Sequence, residues 1–336
     1  MTVQSVASNS NEQAHEGFNT IDYIFDHIND SHEWHFFSIG DKDFSIPLPV
    51  ILYSKNSGLV FFSSNKLYHP SPNFQYYLET EGKDEGKIVE RTASGDTIVP
   101  LDLSITKVIA GVILVALLFI VLALRSVKIA VKQEGKAPKG TQNLLEIIMK
   151  FVRDDVAKPF IGDNYKRYFP FLITLFLFIL MSNLIGLVLP LGLSITSNIA
   201  VTLTLAVITF IITIASGNRQ YWKHIFNPEA PWFMKTPVLP LMQIIEIFGV
   251  FIKPTILTIR LFANMLAGHI IITVLIALIF LMSSLLSPWA GAGMSLISVV
   301  FSIFMIILDI LVAFIQAYIF TLLSAMYFGT ASSKEH

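Results

Sequence analysis

The chain has 336 residues, 54% of them hydrophobic and only 14% charged, where a typical soluble domain carries about 25% charged residues. The formal net charge of −1 hides two unlike parts: residues 1–104 hold 15 of the 24 acids and 6 of the 23 bases, a net of −9 (6 minus 15), whereas residues 105–336 are apolar and basic. There is no cysteine, which excludes a disulfide framework and a thiolate metal site.

Met1 to Asn11 has neither a basic start nor an apolar stretch, so no signal peptide is expected there. Within residues 1–104, Phe44 to Tyr53 and Leu59 to Ser64 are β-branched or aromatic runs bounded by turn residues such as Asn56, Ser57 and Gly58. Ile98 to Leu103 is similar. These runs predict a small, partly β domain outside the membrane. Among its histidines, His27, His32 and His35 admit two readings: a metal site, or ordinary solvated histidines on an acidic surface.

From residue 105 onward the pattern is that of a polytopic membrane protein. A span needs about 20 mostly apolar residues. Residues 105–124, 169–191 and 195–215 each fit one crossing, whereas 237–286 and 291–328 are too long for an upright crossing and must tilt strongly or begin along the interface. Between the first two spans, Arg125 to Arg167 contains ten Lys or Arg. Inside that segment Leu144, Leu145, Ile148, Met149, Phe151 and Val152 recur at roughly helical spacing among charges, as in an amphipathic helix lying on a membrane surface. Gly217 to Thr236 adds Arg219, Lys223 and Lys235, while the two remaining connections carry no charge. The positive-inside rule then places the basic segments in the cytoplasm, the N-terminal domain outside and the C-terminus inside, after five crossings. The expected fold is all-α in the membrane (residues 105–336), with an acidic external domain (residues 1–104) before it.

Ionisable groups within apolar spans are costly and usually mark an ion path. Five stand out, Glu246, Lys253, Arg260, His269 and Asp309, together with the amides Asn264 and Gln316. Lys253 also reads as an interfacial residue that snorkels, or as a partner for Glu246 seven residues earlier. At about 100° per residue, Glu246, Lys253, Arg260 and Asn264 form one stripe, flanked by the small residues Ala263, Ala267 and Gly268. His269, nine residues after Arg260, falls on the opposite side of the helix. Asp309 and Gln316, seven apart, share a face of the last helix with Ala313 between them. Arg260 and Gln316 are therefore expected to meet a partner near mid-membrane, and His269 and Asp309 to meet each other nearer the outer side.

The run Arg260-Leu261-Phe262-Ala263-Asn264-Met265, followed by Ala267-Gly268, resembles the signature of ATP synthase subunit a. Gln316-Ala317-Tyr318-Ile319-Phe320 resembles the companion motif on the last helix, and the ending Ser-Ser-Lys-Glu-His resembles bacterial members. The likeness covers about Thr141 to His336, and the first span more loosely; the N-terminal domain resembles nothing that carries over. It implies that Arg260 is the stator arginine facing the rotor ring. Glu246 would be the carboxylate of an inner half-channel, with Asn264, His269, Asp309 and Gln316 along the ion pathway. Many members fill the positions of His269 and Asp309 with an acid and a histidine in the opposite order; here the pair is exchanged. The implied partners are a ring of c subunits, peripheral-stalk b subunits and the rest of an F1Fo complex in a bacterial inner membrane. No nucleic acid, cofactor or metal is implied. No GxxxxGK[ST] loop is present for nucleotide chemistry in this chain. Two other classes compete with this reading. A secondary transporter or channel with its own central substrate site would favour an inverted repeat, which five spans cannot supply. A membrane-anchored binding protein would leave Arg260 and Asp309 without a role.

Overall fold

The computed structural model describes residues 30–39, 42–68, 74–79, 86–91, 97–132, 140–188, 193, 195–226 and 235–332. They fall into two compact units, one containing Leu266–Asp309 and the other Asp30–Met265 with Ile310–His336.

The strands follow the aromatic and β-branched runs, but prolines cut two of them. Strands β1 (Glu33–Ile39) and β2 (Lys42–Pro47) form an antiparallel hairpin whose register shifts between His35 and Phe37. The chain leaves it at Pro47-Leu48-Pro49 and enters β3 (Pro49–Ser54), so the run from Phe44 to Tyr53 is two strands in two sheets rather than one. A proline has no N–H for a ladder, which confines it to strand ends. After β4 (Gly58–Ser63), the short helix α1 (Asn65–Tyr68), β5 (Tyr76–Leu78) and β6 (Ile88–Arg91), Pro100 likewise separates β7 (Thr97–Ile98) from β8 (Leu101–Asp102). The two three-stranded sheets have orders β4-β3-β8 and β5-β6-β7, all antiparallel.

Alternation places Val50 and Leu52 inward, where they pack with Leu67, Tyr76 and Ile88. Buried Glu90 is satisfied by hydroxyls, accepting from Ser54 and Ser57. His32 is buried rather than solvated, and its Nε2 lies 2.8 Å from Asp102 Oδ2. His27 lies outside the described residues.

Burial pushes the Asp102 carboxyl up, but hydrogen bonds from His32 and Ser104 outweigh it and hold the group at about 2. A carboxyl depressed in the folded state stabilises above its unfolded value near 4 and loses that contribution as pH falls towards 2. Asp102 is 38% exposed, so solvent screening limits the effect to about 1 kcal/mol. Asp102→Asn should therefore lower protection of β3 amides about fivefold at pH 5 and much less at pH 2.5, by hydrogen exchange of the full chain. A ratio independent of pH would show that the pair does not carry this stability.

Helix α2 (Lys107–Lys132) starts where the sheet domain ends. Its first N–H groups need partners outside the helix. The Lys107 N–H donates to Ser31 O at 2.9 Å, and the Val108 N–H to the Asp30 carboxylate at 3.3 Å. Next come α3 (Thr141–Phe151), a π-turn (Val152–Ala157), α4 (Lys158–Ile161) and α5 (Tyr165–Gly186). On α3, Leu145, Ile148 and Phe151 pack against the core, while Leu144 and Ile147 are exposed. Helix α6 (Ile199–Ala215) is capped by Asn198, whose side chain accepts from the Ala200 N–H at 2.9 Å. Last are α7 (Arg219–Phe226), α8 (Lys235–Leu285) and α9 (Pro288–Ser332).

Among the described residues, four stretches are long and apolar enough to cross a membrane, Lys107–Ile129, Thr141–Gly186, Gln243–Leu285 and Trp289–Ser332, and the apolar Ile199–Ala215 is shorter. At 1.5 Å per residue, α8 and α9 run about 77 and 68 Å, against a hydrocarbon core of about 30 Å, so neither can lie upright within it. The packed centre joins α5, α8 and α9 through Leu172, Phe176, Leu257, Leu261, Phe320 and Phe328. Gly329 lets α9 lie directly against the Phe160 carbonyl, a space that any side chain would overfill.

Candidate functional site

Helix α8 presents two faces. Leu257, Leu261 and Met265, spaced by four, are buried. Arg260, Ala263 and Asn264 lie on the adjoining face and are exposed. In a chain this apolar, an exposed guanidinium mid-helix, with an alanine beside it, leaves room for another surface to approach. Asn264 Nδ2 donates to Gln316 Oε1 at 2.8 Å. Gln316 is 2% exposed, between Ala313 and Ala317, both fully buried. Helical spacing alone predicts Gln316 beside Arg260 on a shared outward surface. The structure turns it inward instead, where its carbonyl positions Asn264 on Arg260's face. Interhelical hydrogen bonds of this kind contribute about 1 kcal/mol, enough to fix a side-chain orientation.

Lys253 places its amine 5.4 Å from the centre of the Tyr327 ring. With Tyr327, Tyr221, Thr209 and Thr213 it lines a cavity of about 20 Å³, room for about one water molecule. Glu246 lies close enough to Tyr221 that its charge, after burial, helps raise that phenol. Glu246 and Lys253 thus both neighbour Tyr221, a residue of the basic connection, and Lys253 sits over an aromatic ring.

In the other unit, Gly268 gives Asp309 its place. A Cβ at residue 268 would stand 2.9 and 3.0 Å from the two Asp309 carboxylate oxygens. The carboxylate therefore reaches the backbone next to His269. The two side chains do not hydrogen-bond each other: His269 Nε2 and Asp309 Oδ2 are buried and have no hydrogen-bond partner among the described residues.

Sequence reasoning passed over a further buried polar pair, Asn183 on α5 and Thr196, whose hydroxyl donates to Asn183 Oδ1 at 2.6 Å. An isolated amide in a span carries no periodic signal. Tyr327, Thr209 and Thr213 were missed for the same reason; the one available clue was the four-residue spacing of the two threonines.

These helices, with a charged and small-residue face on one of them, define a multi-pass α-helical membrane protein. The family described as ATP synthase A chain matches residues 105–329, and the chain belongs to it. A separate domain of unknown function (DUF8433) matches residues 23–103. Among curated relatives, the ATP synthase subunit a of Chlorobium phaeobacteroides is 43% identical over 242 residues, 70% of this chain and 67% of that protein. The subunit a of Chloroherpeton thalassium is 46% identical over 210 residues, covering 60% and 58%. That of Myxococcus xanthus is 41% identical over 247 residues, covering 70% and 75%. The chain thus spans about two thirds or less of the first two of these relatives.

Proposed function

We propose that the chain is the ion-translocating stator subunit of a rotary ATP synthase, passing protons to and from carboxylates on a c-subunit ring. The supporting observation is Arg260, a permanent cation exposed mid-helix, with Ala263 and the Gln316-held Asn264 on the same face. In this reading a ring carboxylate is held protonated by burial, which disfavours its charged form by several kcal/mol. A cation at about 4 Å favours the ionised form by roughly 4 kcal/mol at an effective dielectric near 20. The two effects are comparable, so the carboxylate releases its proton only beside Arg260. Glu246, next to Tyr221 and the Lys253 cavity, serves the inner half-channel; His269 and Asp309 serve the outer one. Offset half-channels force each proton to travel around with the ring, driven by about 2.3 kcal/mol per charge per 100 mV.

Residues 105–336 form the membrane domain in this reading, and residues 1–104 face the periplasm of a bacterial inner membrane. The peripheral-stalk b subunits and the remainder of the F1Fo complex are the other partners. Purification of the tagged chain in mild detergent should bring down an ATPase and a ring of small c subunits. A chain that purifies alone and moves a solute of its own would overturn the assignment. Orientation is tested by single cysteines at Asn56 and Ser333 in intact cells. An impermeant maleimide should label only the first, and labelling of the second alone would invert the topology.

A further inference from the structure

The sheet β4-β3-β8 is apolar on both faces. Its inner face covers the small core; its outer face carries two rows of side chains, Leu59, Tyr53 and Leu101, then Phe61, Ile51 and Leu103. Five of the six are more than half exposed, from 53% for Tyr53 to 64% for Phe61. Contiguous apolar patches of this kind mark protein or membrane contacts. We infer that this face rests on the bilayer, with the lipid interface as its occupant, and so acts as a second membrane contact beside the first span.

Three observations select lipid. The patch continues into the exposed apolar surface of the first membrane-capable helix: Leu103 is four residues from Lys107, a reach of at most about 14 Å, and exposed Ile109, Ile113 and Leu117 come next on α2. Lys107, itself buried, is the last charge before the apolar stretch of α2. Between it and Arg125 lie 17 uncharged residues, about 26 Å of helix against a core of about 30 Å. The domain is also fixed to that end of α2, because Ile105 N–H donates to Pro49 O at 3.2 Å, Leu103 N–H to Ile51 O at 2.9 Å and Lys107 N–H to Ser31 O at 2.9 Å. Finally, the patch has six residues, well short of the roughly 20–30 that each partner contributes to a standard protein interface. Tyr and Phe at such a height match the aromatic belt of membrane proteins, and insertion of 5–10 Å is what interfacial apolar faces reach.

The chain lacks cysteine, so single cysteines at Phe61, Leu101 and, as a control, exposed Lys66 on α1 can be labelled with a small fluorophore. The full chain is reconstituted into phosphatidylcholine vesicles with and without a nitroxide lipid labelled near the headgroup. Labels at 61 and 101 should be quenched at least about threefold more than the label at 66. Equal quenching at all three sites would overturn the proposal. So would self-quenching between labels, which marks a second copy, or loss of lipid quenching in the assembled complex, which marks a protein partner. Because both test positions are more than half exposed, neither change empties the core, and retained β3 protection by hydrogen exchange confirms the fold.

Discussion

If Arg260 is the stator charge proposed above, Arg260→Lys should abolish ATP-driven proton pumping in inverted vesicles while the subunit still inserts and binds the ring which that reading implies. The charge count is unchanged, so the effect rests on permanence. Arginine keeps its proton under all relevant conditions, whereas a lysine in an apolar setting can lose its own as each ring carboxylate passes. The carboxylate would then often stay protonated, and the barrier separating the half-channels would fall. Arg260→Ala should go further and leak protons passively. Arg260 is exposed and outside the packed centre formed by Leu257 and Leu261, so neither change opens a cavity and assembly on native gels should be unaffected. A purely structural arginine predicts the reverse, two variants that fail to assemble. Normal pumping by an assembled Arg260→Lys complex would refute the permanent-charge argument.

How much of the molecule is legible in its sequence depends on how strongly each feature constrains a pattern. The spans are legible because lipid requires the backbone to satisfy itself, and a run of about 20 apolar residues does so as a helix. Lys107, Arg125 and the uncharged stretch between them mark the apolar part of α2, although the helix runs on to Lys132. The end of α5 is less visible: residues 187–191 continue the apolar run, yet the helix stops at Gly186. The β domain is legible as strands but not as sheets, because periodicity says nothing of pairing. Only the prolines at 47, 49 and 100 hint at where the chain changes sheets. At the site, helical spacing places Arg260 and Asn264 on one face correctly. It cannot show that Gln316 turns inward, since that depends on the rotation of α9, set by Ala313, Ala317 and Phe320 packing. Nor can it reveal that Lys253 meets Tyr327, 74 residues later, across two helices.

The second large effect is expected at Gly268. An alanine there would bring its methyl within 2.9–3.2 Å of the Asp309 carboxyl group. The obstacle is the end of a side chain with free torsions, so the carboxylate should swing away and the backbone should stay. Gly268→Ala therefore displaces Asp309 while leaving both it and His269 titratable. If the two groups form one proton relay to the outer surface, pumping should fall about tenfold, roughly 1.4 kcal/mol on the barrier, with assembly intact. His269→Leu should produce a comparable loss, because imidazole is the side chain suited to passing protons near neutral pH. Since both changes interrupt one path, combining them should cost little more than either alone, the non-additivity expected of residues acting as a unit. Pumping rates in inverted vesicles, normalised to assembled complex, measure all three variants. Losses that multiply would mean that the two groups act on separate steps, and a His269→Leu, Asp309→Leu complex pumping at the wild-type rate would remove the relay altogether.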